Sequence, residues 1–75
     1  MKKTIYVKLL DEGTIVYRPV PAIEVNKGVF ELFGFDIYNP DDEIWEFMPG
    51  TLVITEEKNL SGETVLVAIK GKNNI

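Results

Sequence analysis

Apolar positions in this chain alternate with polar ones or gather in short runs, and turn-forming residues interrupt them at close intervals. That pattern describes short strands joined by tight turns. Thr4 to Leu10 sets the period: Ile5, Val7 and Leu9 fall on one face, Tyr6, Lys8 and Leu10 on the other. The Ile5–Val7–Leu9 face is expected to be buried. Asp11-Glu12-Gly13 then turns the chain, with Gly13 free to take a positive φ. A second strand is predicted from Thr14 to about Val25, with Val16, Val20 and Ala22 sharing a face with Arg18. Ile15, Tyr17 and Ile23 share the other face with Pro19 and Pro21. Two prolines remove two ladder donors, which confines this strand to an edge, a bulge or a sharp bend. Asn26-Lys27-Gly28 leads into a third strand, Val29 to Phe35, with Phe30 and Leu32 opposite Glu31 and Phe33. Gly34 ends or bulges it.

Asp36 to Asp42 is the least strand-like stretch. In Asn39-Pro40-Asp41-Asp42 an N-cap residue precedes a proline and two acids, which predicts one short helical turn near 39–43. Pro49-Gly50 keeps it from extending. Glu43 to Phe47 alternates again, with Trp45 and Phe47 on one face, and Met48-Pro49-Gly50-Thr51 suits a type II turn. Leu52 to Lys58 reads as a strand and Asn59-Leu60-Ser61-Gly62 as a turn. Glu63 to Lys70 is the last strand, apolar on both faces over Val65 to Ile69, and Gly71 to Ile75 reads as a frayed tail. Five or six short strands in close succession form an antiparallel meander. They are too few for an immunoglobulin-type sandwich. The expected fold is a single all-β domain over residues 1–75, a small antiparallel SH3-like barrel. An OB-type barrel is less favoured, because it includes a longer helix.

Composition narrows the chemistry. In 75 residues there is no cysteine and no histidine. Disulfides, thiolate metal sites, the commonest zinc ligand and the commonest general base are all removed together. One serine, Ser61, lies in a predicted turn with no base to activate it, and no glycine-rich phosphate loop occurs. The sequence therefore names no catalytic, cofactor-binding or metal-binding residues, and a non-enzymatic role is expected. Net charge is −4, with twelve acidic and eight basic residues. Such a domain is repelled by nucleic-acid phosphates and by anionic membrane surfaces, and it suits a basic partner. No apolar run approaches the roughly 20 residues of a membrane span. The segment Met1 to Lys8 lacks the apolar stretch of a secretory signal, so a cytoplasmic location is expected.

Three features stand out as candidate sites. Asp36, Asp41, Asp42, Glu43 and Glu46 form an acidic stretch without the spacing of a calcium loop, so docking of a basic partner is favoured over a metal. Arg18 sits between Val16 and Val20 and needs an acidic partner, for which Asp11, Glu12, Glu46 and Glu56 are the candidates; otherwise it forms an anion clamp. Tyr17, Tyr38, Trp45 and Phe47 are the aromatics nearest the loops. Phe47 and Trp45 are expected in the core, with Tyr17 and Tyr38 exposed.

The segments Leu10-Asp11-Glu12-Gly13-Thr14-Ile15-Val16-Tyr17-Arg18-Pro19-Val20 and Asp42-Glu43-Ile44-Trp45-Glu46-Phe47-Met48-Pro49-Gly50 together resemble a group of small bacterial proteins of about this length. The resemblance spans most of the chain and brings no activity with it. Tyr17 stands where that group carries Trp. The leading expectation is a protein-binding module using Tyr17, Arg18, Tyr38, Asp41, Asp42, Trp45 and Glu46. The alternatives are a self-associating assembly protein, pairing through the second or last strand, and a nucleic-acid-binding barrel. The last needs Lys2, Lys3, Lys8, Lys70 and Lys72 to cluster.

Overall fold

The alternation in the first strand decides which side of the sheet becomes the interior. Ile5 and Val7 are fully buried and Leu9 nearly so, while Tyr6 and Lys8 between them remain partly exposed. The computed structural model describes residues 2–72. Its strands are β1 (Lys2–Leu10), β2 (Tyr17–Asn26), β3 (Val29–Leu32), β4 (Ile44–Trp45), β5 (Leu52–Leu60) and β6 (Glu63–Gly71). No helix is present among the described residues, so none is long and apolar enough to cross a membrane.

Pairing runs β1–β2, β2–β3, β3–β5 and β5–β6, all antiparallel, and β6 returns to β1 to close a ring. Apart from the two-residue β4, five strands make this circuit. Four reversals leave the fifth strand running the same way as the first, so the closing pair must be parallel. It is parallel, at Tyr6 with Val67. The short β4 pairs with the end of β1 through Leu9 with Trp45 and Leu10 with Ile44. The molecule is thus an all-β barrel, as the meander pattern predicts. Its interior draws on every strand: Ile5, Val7 and Leu9 meet Val20, Ala22, Phe30, Leu32, Trp45, Val53 and Ala68.

The prolines of β2 have a specific place. Leu9 N–H donates to Val16 O at 2.8 Å, which sets the phase of the β1–β2 ladder. Pro19 opposite Tyr6 and Pro21 opposite Thr4 then occupy positions whose backbone groups point away from β1. Pro21 O, so directed, accepts from Phe33 N–H at 2.8 Å. Neither proline removes a bond from the β1–β2 ladder. β2 pairs with β1 up to Ile23 and with β3 from Ala22 onward, changing partners at a bend. The last strand pairs with β5 along its length and meets β1 at the single Tyr6–Val67 bridge.

Several boundaries shift from the sequence pattern. The second strand begins at Tyr17, because Asp11 (φ 61°) and Gly13 (φ 76°) hold residues 11–16 in an open loop with Ile15 71% exposed. The third ends at Leu32, before Gly34 at φ 92°. The turn after Asn39 carries the expected cap, with Asn39 Oδ1 accepting from Asp41 N–H at 3.0 Å and Asn39 O from Asp42 and Glu43 N–H at 2.9 and 3.1 Å. It does not become a helix, because Ile44 enters β4 at once. The turn at Pro49-Gly50 forms as predicted: Thr51 N–H donates to Met48 O at 3.1 Å and Gly50 has φ 90°. Asn59 and Leu60 belong to β5, and Ser61-Gly62 alone make a two-residue hairpin turn with φ 53° and 87°. Gly71 is the last residue of β6, where tail was expected; residues 73–75 lie outside the described residues. In the apolar Val65–Ile69 run, Ile54 pairs with Lys70 but Thr55 with Ala68, so Ile69 is an extra residue. Beyond that bulge Ala68 joins the core cluster, while Val67, also buried, pairs with Tyr6 on the opposite face.

Two glycines with nearly the same φ separate backbone strain from packing. A Cβ at Gly62 meets nothing within 4 Å, whereas one at Gly34 falls 3.1 Å from Trp45 Cη2 and 3.3 Å from Ile37 Cγ1. Gly62→Ala is expected to destabilise by about 1–2 kcal/mol, the cost of a left-handed backbone. Gly34→Ala should lose about 1–3 kcal/mol more through overpacking. Thermal midpoints for the two variants check this, at about 4–8 °C per kcal/mol in a domain of this size.

Candidate functional site

Trp45 enters the core from β4 with only 2% of its surface exposed, and its indole N–H needs an acceptor there. Glu43 supplies it: Oε1 accepts from Trp45 Nε1 at 2.9 Å. The two residues are two apart on an extended segment, so both point to the same side. The same carboxylate takes a two-pronged contact from Arg18, Nε to Oε1 at 2.8 Å and Nη2 to Oε2 at 2.7 Å. Arg18 therefore pairs with Glu43, and not with Asp11, Glu12, Glu46 or Glu56. Its planar fork matches a carboxylate edge, and Glu43 is the acid whose position is fixed by a second bond. Tyr38 stacks against Trp45 with ring centroids 4.7 Å apart, tilted by 53°. Hydrogen bonding from Arg18, then from Trp45, holds the Glu43 carboxyl well below its ordinary value, at about 2, and the pair raises Arg18 further.

This hub fixes the turn at residues 39–43 against the barrel and separates the sequence-predicted residues into different surfaces. Arg18 and Asp42 line one groove of about 360 Å³ with Pro19, Ile37, Asn39 and Glu43. Tyr17 points the other way, as strand alternation requires, and shares a depression with Glu46, Lys8, Lys58 and Ile15. Trp45 is core and presents no contact surface, and Phe47 packs partly buried beside it, as expected. Tyr17 and Tyr38, expected to be exposed, are both half-buried. The seven predicted contact residues therefore do not form one patch.

A different grouping emerges at one end of the barrel. The loop after β1 brings Asp11 and Glu12 across a cleft of about 210 Å³ from Asp41 and Asp42, with Leu10 and Ile44 beside them. Leu10 and Ile44 are cross-strand partners in the β1–β4 pair and both are exposed. Only Arg18 and Glu43 form a salt bridge among the described residues, so these four acids have no cation partner among them. The pairing of Asp11-Glu12 with Asp41-Asp42 was not readable along the sequence, where the two acid pairs lie far apart. No three acidic groups among the described residues are placed to share a metal ion.

The five lysines Lys2, Lys3, Lys8, Lys70 and Lys72 do not all lie together; Lys8 shares a depression with Lys58, on the same side of the Tyr6–Val67 bridge as Lys70 and Lys72. Because β1 and β6 run parallel from the Tyr6–Val67 pair, Lys2 and Lys3 lie toward one end of the seam and Lys70 and Lys72 toward the other. No family model, curated protein or solved structure matches this chain. The reading of the site therefore rests on its geometry.

The hub makes two outcomes testable. Glu43→Ala leaves the buried Trp45 N–H without an acceptor and should cost about 1–3 kcal/mol. Arg18→Ala removes a partner that is 45% exposed and should cost less than about 1 kcal/mol. The Glu43 carboxyl is lowered by folding from 4.5 to about 2. Its contribution is complete above about pH 4.5 and is lost as pH falls from there toward 2. Urea unfolding across that range should show a steeper acid loss for the natural chain than for Glu43→Gln.

Proposed function

We propose that this chain is a non-enzymatic protein-binding module that receives a basic, partly apolar segment of another protein on the acidic cleft. The observation that carries the reading is the set of four carboxylates, Asp11, Glu12, Asp41 and Asp42, lining one cleft with exposed Leu10 and Ile44 and with no salt-bridge partner among the described residues. Like charges brought together by a fold repel one another, and a cationic partner relieves that repulsion. Exposed apolar side chains next to charged groups match the mixed character of a recognition surface. The net charge of −4 adds long-range attraction for a basic partner. The separated lysines and the acidic balance both weigh against nucleic acid as the partner. The absence of cysteine fits a reducing cytoplasm, and the resemblance to small bacterial proteins agrees with a bacterial setting.

A short peptide alternating arginine and leucine is the probe. Titrated into the labelled protein, it should shift amide resonances of Leu10–Glu12 and Asp41–Ile44, with affinity falling as salt is raised. Glu12→Lys combined with Asp41→Lys should weaken binding at least about tenfold, or about 1.4 kcal/mol, while the thermal midpoint stays nearly constant. Shifts confined to the Tyr17 depression, or binding indifferent to the double reversal, overturn the assignment.

A further inference from the structure

An apolar groove lies away from the acidic cleft and shares no residue with it. It has a volume of about 580 Å³ and is lined by Pro21 and Ile23 of β2 and by Phe33, Gly34 and Phe35 after β3. Phe35 is 65% exposed, yet it is held on two sides. The Phe33 ring meets it edge-on, with centroids 6.3 Å apart at 86°. On the other side it lies against the Gly50 turn, where a Cβ would fall 3.3 Å from Phe35 Cζ. The ring is therefore a preorganised anchor that loses little freedom on burial. A projecting ring thus stands beside a groove with room for a ring.

Charge selects the occupant. Lys2 and Asp36 both line the groove, and neither has a salt-bridge partner among the described residues. A surface carrying an apolar groove, an apolar knob, one cation and one anion is complementary to itself. A two-fold axis that brings each knob to the other's groove sets the two surfaces face to face, so that Lys2 of one can meet Asp36 of the other. On a chain of net charge −4, this patch is locally neutral, which suits contact with an equally acidic molecule.

We infer that the chain forms a two-fold dimer in which Phe35 of each protomer seats in the Pro21–Ile23–Phe33 groove of the other and Lys2 faces Asp36. This surface is distinct from the strand-edge pairing that the sequence pattern suggested. The partner-binding cleft is left open in such a dimer, so one assembly presents two clefts.

Sedimentation equilibrium of the full chain over a wide concentration range tests the dimer. A reversible monomer–dimer equilibrium is expected. Phe35→Glu should abolish it while leaving the thermal midpoint nearly unchanged at concentrations low enough for both chains to be monomeric, since the ring is exposed there. Lys2→Asp and Asp36→Lys should each weaken dimerisation at least about tenfold, because the symmetry places every reversal in two like-charged contacts. The two combined should restore the affinity to within about threefold of the natural chain, since the opposite charges then face each other again. Glu12→Lys with Asp41→Lys should leave the dimer intact. A strict monomer at the highest concentration, a dimer insensitive to Phe35→Glu, or a double reversal that fails to restore association overturns the inference.

Discussion

Burying the Trp45 indole depends on one carboxylate. A ring of that size fills the space between β4 and the barrel interior, but its N–H enters the same apolar surroundings and must be satisfied there. Glu43 satisfies it, and Arg18 in turn neutralises Glu43, so three residues from two distant segments form a chain from core to solvent. The outer member is exposed and the inner one is not. That gradient lets a charged group serve a buried one without the desolvation cost of a fully interior ion pair. The turn at residues 39–43 is held at both ends by this arrangement, at Asn39 by its cap and at Glu43 by the hub. Asp41 and Asp42 are displayed between those two fixed points.

The sequence was most informative where two backbone requirements coincided. Ile5, Val7 and Leu9 alternate in a segment without Gly or Pro, and their burial followed. Pro49-Gly50 combines a fixed φ with a positive one, and the turn formed there. Boundaries were less legible where propensity and pairing diverged. Thr14, Ile15 and Val16 are good strand formers, yet left-handed backbone at Asp11 and Gly13 holds them in a loop. Asn59 has turn chemistry, yet it stays in the ladder opposite Thr64 and uses its side chain to accept from Gly62 N–H. The bulge at Ile69 leaves no mark in the apolar run, because every residue there suits either face.

The candidate site was less legible than the fold for a simple reason. Which residues share a surface depends on strand order and on the direction of closure, and neither is written in local patterning. Arg18 was recognisable as a charge in need of a partner, but Glu43 lies 25 positions away and meets it only because β4 joins the end of β1. Tyr17 and Arg18 are neighbours in sequence and face different grooves. The parallel run of the first and last strands sets Lys2 and Lys3 apart from Lys8, Lys70 and Lys72, a division that local patterning does not show.

That parallel closure also governs how the barrel responds to tension. From the Tyr6–Val67 pair, β1 extends back to Lys2 and β6 forward to Gly71. At about 3.3 Å per residue these two points lie about 26 Å apart along the seam. A pull on the first residue of β1 and the last of β6 therefore acts along the strands. It stresses the bonds of the adjoining ladders together, in shear. An antiparallel closure would bring the same two points side by side, and its bonds would break singly, as a zipper opens. An odd number of strands thus gives this small domain an axis along which it resists being pulled.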